Sequence, residues 1–411
     1  MTDYINLGIK DLEVPTDTSN NIEFAPALEP DTRIKVLEAL KQLKLENEVS
    51  KISLVYGDLS PRRYFRAHFK NQCLMTDITS GVKKHQKTII IMYFDSVNPP
   101  EANPAGMDQS RLSTSDEKLK TSLSSFSAYE CLSNFFTKHN ISVPCVYLFA
   151  ENLSIILQED LGQTPLISLA ENKSQNLKSY YENAISYIKK FQNIKDESCF
   201  AFQRGFDQVV YLREMMECAD YFLPEFINKR EVEKAKNFFL TLADELVQFP
   251  KVLVHRDFHS WNLMIDPEGS LRIIDFQDAL IGTRSYDLVA LVHERDIDQI
   301  LGEKLVKDLE KLFFSTFNNE HLEHYEYPRA MLQRDLKVVG RFAKVAKTRG
   351  LVSYTKWIPG TAKRILKTLE IIADDNNTYG ELHDIFSKAL QKFHYMKDAA
   401  QNSNFISDSN E

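Results

Sequence analysis

Residues 255–262 read HRDFHSWN, and residues 274–276, IDF, follow across the turn-forming run Asp266-Pro-Glu-Gly269. Asp257 and Asn262 stand five apart on one loop, and Asp275 ends the segment that returns from the turn. Phosphoryl transfer needs such a set. One carboxylate orients the attacking hydroxyl, while an amide oxygen and a second carboxylate hold magnesium on the nucleotide phosphates. An isolated H-x-D is common, whereas the ordered set with its turn is selective. Asp257, Asn262 and Asp275 are therefore the expected catalytic residues, with Asn262 and Asp275 as magnesium ligands. A blander reading makes Asp257 a cap and Asn262 a turn residue. A rival one takes His255, Asp257 and His259 as alternate residues of an extended metal-binding segment. It leaves Asn262 and Asp275 without a role and finds no clear further ligand.

The decisive loop sits in a helix-rich context. From residue 163 onward the pattern is mostly helical, broken by short strands at 252–254, 263–265 and 271–274. Upstream, residues 50–95 read as a three-strand meander with glycine-containing breaks near 57 and 81. A helix is expected at 125–139 and further strands near 144–146 and 153–157, closed by the turn at 159–162. Asp31 is a candidate cap for a helix with Ile34, Leu37, Leu40 and Leu43 at helical spacing. Residues 1–30 read as an extension, 96–122 as a long mobile loop and 396–411 as a polar, disordered tail. The expected organisation is an N-terminal extension (1–30), a strand-rich N-lobe (31–160) and a mainly helical C-lobe (161–395). The fold class is α+β in two lobes.

With 411 residues, 43% apolar, the chain supports a sizeable core in more than one lobe. Its net charge of −8 excludes a generic nucleic-acid binder. Five cysteines without close spacing argue against a disulfide framework or a zinc site and predict reduced thiols in a cytoplasm. No apolar run approaches a membrane span, and the N-terminus lacks a secretory pattern.

The segments HRDFHSWN and IDFQDALIGTRSYDLVAL (274–291) resemble the aminoglycoside phosphotransferase superfamily. Within it they are most similar to bacterial N-acetylmuramate/N-acetylglucosamine anomeric kinases of cell-wall recycling. Residues 57–66 (GDLSPRRYFR) resemble that family's phosphate loop, 157–162 (LQEDLG) its hinge, and 332–340 (LQRDLKVVG) with Tyr354 and Pro359 its C-terminal helices. The likeness covers roughly residues 31–375. It implies a bilobal protein-kinase-like fold, ATP and Mg2+ as cofactors, and a small amino-sugar acceptor. Asp257 is then the catalytic base or the acid that orients the hydroxyl. Ser60 and neighbouring backbone lie over the phosphates, the backbone of Glu159 and Leu161 meets adenine, and Asp287, with His255, braces the catalytic loop. The resemblance also admits an aminoglycoside kinase, another small-molecule or protein kinase of this fold, or a catalytically inactive nucleotide-binding pseudokinase. It leaves the oligomeric state open.

One departure supports the last alternative and, because the resembling sugar kinases share it, the narrower resemblance equally. Many kinase-like enzymes carry a strand lysine that clamps phosphates and pairs with a helix glutamate. Residues 88–95 here read TIIIMYFD, without lysine, although Glu130 remains on the following helix. Arg62 or Arg63 is the expected substitute charge. Residues 331–367 hold ten lysines and arginines against the single acid Asp335, which suits an anionic acceptor better than a polycationic one. A solvated basic helix face explains the same composition. Arg341 is the preferred anion contact, and Glu214 and Asp220 are candidates for sugar hydroxyls.

Overall fold

The computed structural model describes residues 22–25, 28–55, 62–94, 125–317, 319–375 and 379–407. Two compact units emerge, the first ending at Leu161 and the second beginning at Gly162.

The first unit is built on a six-stranded sheet in the order β1-β2-β3-β4-β6-β5. The strands are β1 (Glu23–Phe24), β2 (Val49–Val55), β3 (Arg62–Thr76), β4 (Lys83–Phe94), β5 (Val146–Ala150) and β6 (Ile155–Glu159). The β2–β3–β4 meander appears as the alternating pattern predicts, with Gly81 at φ 72° in the turn before β4. Phe65 and Ala67 on β3 and Ile89 and Ile91 on β4 are fully buried, in one core with Val36, Ala39 and Leu40 of the helix Pro30–Gln42. That helix begins with Pro30 in its first turn and Glu29 at the cap position, so Asp31 does not cap it. Its buried stripe is Thr32, Val36, Ala39 and Leu40, and Ile34 is exposed. Part of the expected extension belongs to the fold. β1 pairs in parallel with β2, and Ile22, Phe24 and Leu28 are buried in the same core. Three alternating apolar residues suffice to dock a short segment by hydrophobic burial. Residues 56–61, hence Ser60, and 96–122 lie outside the described residues.

The second unit is mainly helical and carries two small two-stranded sheets. β8 (Leu263–Ile265) pairs with β9 (Leu271–Ile273), and β7 (Lys251–Val254) pairs antiparallel with β10 (Leu280–Thr283). The β8–β9 turn is held by Asp266, whose Oδ1 accepts from the amides of Glu268 (3.0 Å) and Ser270 (2.8 Å). Gly269 there has φ 81°, a conformation that suits glycine. The long helix Tyr327–Arg349 crosses the turn Cys218–Phe222 at Gly340, where an added Cβ would collide with the Cys218 amide nitrogen. This close approach lets the helix press its Arg334–Lys337 turn against the rest of the unit. The final helix, Gly380–Ser407, runs through most of the segment expected to be a disordered tail. No proline or glycine follows Gly380 to stop it. Among the described residues, no helix is long and apolar enough to cross a membrane.

Candidate active site

The loop after β7 is shaped by backbone that its own sequence disfavours. Arg256 has φ 80° and Asp275 φ 61°, left-handed values that cost non-glycine residues on the order of 1–2 kcal/mol each. Several partners hold Arg256 there. Its amide donates to Asp287 Oδ1 (3.0 Å), its Nη2 to Glu214 Oε1 (2.8 Å), and its carbonyl accepts from Arg334 Nη1 (2.7 Å). Asp287 Oδ2 accepts the neighbouring His255 amide at 2.7 Å. One fully buried carboxylate thus gathers two successive loop amides at the start of the helix Tyr286–His293. Burial pushes the Asp287 carboxyl up, partly offset by His255 and the two amide hydrogen bonds. Asp287→Asn should destabilise the protein by about 1–3 kcal/mol, because the amide oxygen serves one loop N–H and leaves the other buried without an acceptor. Denaturant melts, with hydrogen exchange at His255 and Arg256, would measure it. Unchanged exchange at both amides would show that Asp287 does not hold the loop.

The three sequence-predicted catalytic residues are tied together. Asn262 Nδ2 donates to the Asp257 carbonyl at 3.0 Å, and the Ile274 amide donates to the Asn262 carbonyl at 3.0 Å. Because Asn262 spends its nitrogen on Asp257, its side-chain oxygen is the end left for a cation. Asp275 Oδ1 accepts from Gln277 Nε2, which also reaches Asp278. An amide oxygen and a carboxylate are suitable donors for a hard divalent cation. His255 and His259 turn to different partners. The ring of His255 bonds the Ile274 carbonyl at 3.1 Å, and His259 Nε2 lies 3.6 Å from Glu294. Among the described residues no group of three or more His, Cys, Asp or Glu is arranged to hold a metal, so the rival His-Asp-His reading lacks its cluster.

Beneath Asp257 lies a charge network that sequence reasoning missed. Arg334 is 2% exposed. It bonds Glu294, lies 3.5 Å from Asp257 Oδ1 and stacks over the Tyr286 ring at 4.9 Å. Lys337 Nζ is 3.4 Å from Glu214 and 3.8 Å from Asp257. Burial raises the Asp257 carboxyl, but Lys337, Arg334 and Arg256 outweigh it and hold the group far below the usual carboxylate range. Burial pushes the Lys337 amine down, opposed by Glu214 and Asp257. Glu214 is likewise brought down to about 2: burial works against the charge, and Lys337 and Arg256 override it. Only the i, i+3 spacing of Arg334 and Lys337 hinted at this.

The acceptor candidates separate. Asp257 keeps 35% of its side chain exposed, whereas Glu214 keeps 4%. Both Glu214 oxygens are engaged, by Arg256, Lys337, Gln333 and Tyr286, which corrects its reading as a contact for sugar hydroxyls. Asp220 is exposed, and Arg341, also exposed, pairs with Glu217 at 3.0 Å. The basic stretch divides. Arg334, Lys337 and Arg364 are drawn into buried pairs, while Lys344 and Lys347 meet surface acids.

In the first unit, Arg63 lies over the Tyr93 ring at 5.1 Å and reaches Thr32, on the face covered by the helix Pro30–Gln42. Strand alternation puts Arg62 on the opposite face, with Tyr64 and Arg66. Arg66 pairs with Asp160 at 2.5 and 3.0 Å, and Lys84 with Glu159 at 2.7 Å. The Glu159 amide donates to the Cys145 carbonyl, so that N–H is spent within the sheet. Leu161 is buried. Burial raises the Glu130 carboxyl, helped by nearby Glu151.

Residues 128–326 match the family described as phosphotransferase enzyme family, APH. The chain is 29% identical over 265 residues to N-acetylmuramate/N-acetylglucosamine kinase of Neisseria meningitidis serogroup B, spanning 61% of this chain and 75% of that protein. It is 24% identical over 241 residues to the Pseudomonas putida protein of the same name, spanning 56% and 69%. Choline kinase LicA from Streptococcus pneumoniae is similar in structure, with a TM-score of 0.52 at 14% identity, over 83% of this chain and 99% of that one. That likeness gives the chain the protein-kinase-like fold, with a strand-rich first unit and a mainly helical second one.

Proposed function

We propose, from the match of residues 128–326 to the phosphotransferase enzyme family, that the chain transfers the γ-phosphoryl group of ATP to the anomeric hydroxyl of N-acetylmuramate or N-acetylglucosamine in the cytoplasm. The observation that carries this reading is the tie between Asp257, Asn262 and Asp275. Asn262 bonds the Asp257 carbonyl, and the residue before Asp275 bonds Asn262. Asp257, with 35% of its side chain exposed, orients the hydroxyl and accepts its proton as the oxygen attacks. The basic cluster keeps it ionised for that task. Asn262 and Asp275 would hold Mg2+, which when bound neutralises charge on the phosphates. Arg334 and Lys337 fix the orientation of Asp257, and Asp287 fixes the loop. Arg62 is the proposed replacement for the missing strand lysine, because Arg63 lies on the strand face covered by the helix Pro30–Gln42. The sugar acceptor follows from the names of the two relatives.

The test is transfer from ATP and Mg2+ to each sugar, with kanamycin as comparator and phosphorus NMR of the product. The expected result is an anomeric phosphate on at least one sugar and none on kanamycin. ATP binding without transfer to any acceptor would favour an inactive nucleotide-binding protein, consistent with the absence of lysine from residues 88–94 of β4.

A further inference from the structure

The end of the helix Tyr286–His293 carries a cluster of charge that phosphoryl transfer itself does not use. His293 is 8% exposed. Its Nδ1 faces Asp298 at 3.7 Å, and its Nε2 faces Glu310 at 3.4 Å. The same Nε2 lies 2.9 Å from the Tyr327 hydroxyl, which donates to Glu310 at 2.6 Å. Arg364 pairs with Asp335 at 2.8 Å and with Asp298 at 3.2 Å. Asp296 completes the group, packed so closely on Gly360 that an added Cβ there would collide with its carboxylate. These side chains come from the turn at 294–296 and from the helices Ile297–Leu301, Glu303–Phe314, Tyr327–Arg349 and Ile358–Asp375.

The Tyr327 proton goes to Glu310, so the hydroxyl oxygen is left to accept from an Nε2–H. Nδ1 faces a second carboxylate, which also calls for a proton. A neutral imidazole carries one N–H and would turn a lone pair toward an anion, whereas the imidazolium carries both. The balance of charge agrees. Among the described residues, Asp296, Asp298, Glu310 and Asp335 are offset by the buried Arg364, with the exposed Lys307 acting on Glu310 from outside. Burial disfavours the charged ring, but Asp298 and Glu310 outweigh it and hold the imidazole above its ordinary value. Burial pushes the Asp296 carboxyl up to about 6, against Arg364.

His293 is followed by Glu294, which bonds Arg334, and Arg334 lies 3.5 Å from Asp257 Oδ1. Arg295 and Asp296 then adopt left-handed backbone, φ 53° and 58°. Non-glycine residues keep such values only where their surroundings over-determine them, and they cluster at switch regions. The pairs made by His293, Asp298 and Arg364 are those surroundings here.

We propose that His293 is a proton-operated latch on residues 293–298. Protonated, it clamps Asp298 and Glu310 and keeps Glu294 against Arg334; deprotonated, it releases the strained segment and with it the support of Asp257. The link to phosphoryl transfer rests on the reading of Asp257 above, whereas the latch itself does not. The imidazole is held above its ordinary value, so its stabilisation is fully present below the unfolded histidine pKa and is lost as pH rises through the folded one. Activity is therefore lost on the alkaline side.

Arg295 lies over the rings of Trp261 (4.9 Å) and Trp357 (5.4 Å), the chain's two tryptophans, so intrinsic fluorescence reports movement of this segment without turnover. In the full chain, emission should change in a one-proton step on the alkaline side of the ordinary histidine value. The kcat with ATP and N-acetylmuramate should fall about fivefold across the same step, the low end of ordinary coupling between sites. Asp298→Asn removes one counter-charge and should move the midpoint down by about one pH unit. His293→Gln keeps polar contacts without the charge, and should abolish the step and fix emission at the alkaline level. Asp296→Asn tolerates left-handed backbone and should retain the step, which separates His293 from the neighbouring carboxyl. No emission step in wild type, or an unmoved midpoint in Asp298→Asn, would overturn the latch. An emission step with no matching change in kcat would overturn its link to Asp257. If wild type phosphorylates neither sugar, the sugar-kinase reading fails, and the emission step with its shift in Asp298→Asn still decides the latch.

Discussion

Asp257→Asn should lower kcat by about 10²–10⁴-fold, the usual contribution of a positioned general base. ATP affinity should stay within about threefold, because the proposed role sets this carboxylate against the acceptor hydroxyl and not the nucleotide. The substitution keeps the shape of the side chain but removes the charge and turns one acceptor oxygen into an N–H donor. The loop has other anchors in Asp287, Glu214 and Arg334, so the backbone at residues 255–257 should survive. Single-turnover transfer and calorimetric nucleotide binding, measured on the same preparation, check both halves. A variant that retains near-full kcat would remove Asp257 as the base. A variant that loses ATP binding in parallel would place its charge in the nucleotide site instead.

Arg334→Met should be the most damaging single change outside the catalytic trio. Arg334 is 2% exposed and serves Glu294, Asp257 and the Arg256 carbonyl together. Methionine fills much of the volume but leaves Glu294 as a buried carboxylate stripped of its cation. Breaking one side of such a pair costs about 3–5 kcal/mol. The double variant Arg334→Met/Glu294→Gln should recover part of that loss, which a purely steric defect would not allow. There is also a pH signature. Arg334 is among the cations that depress the Asp257 carboxyl. A depressed carboxylate contributes stability above its unfolded pKa, and that contribution is lost as pH falls through the folded pKa. Without Arg334 the folded value rises toward the unfolded one. The stabilisation then shrinks, and the acid limbs of both unfolding and kcat move to higher pH than in wild type. Identical acid limbs in the two proteins would show that Arg334 does not tune Asp257.

The residues of greatest chemical interest were legible because their signal is local. Asp257 and Asn262 are five apart on one loop, and the DPEG turn returns the chain to Asp275. Backbone bonds between Ile274 and Asn262 then follow from a hairpin of that length. The β2–β3–β4 meander was legible for a similar reason, since period-two alternation sets which side chains face the core. Where local pattern was weak, the reading slipped. The strand β10, a four-residue LIGT, gains its partner β7 from across the intervening loop and hairpin. The docking of β1 required knowing that β2 offered an edge. The buried stripe of the first helix is turned away from Ile34 because the sheet it covers, and not its own periodicity, selects the face.

Sequence by itself determined the class of chemistry at the catalytic loop and the ordering of a strand-rich part before a helical one. Both are written in short-range spacing. Tertiary structure alone decided which charges act. Glu214 looked accessible and is buried. Arg341 looked free and is paired. Arg334 and Lys337, unremarkable members of a basic stretch, stand beside Asp257. The physical reason is that electrostatic roles depend on burial and on partners tens to more than a hundred residues away. Glu214 meets Gln333 across 119 positions, for example. Composition records such charges, but only packing removes their water and sets their neighbours.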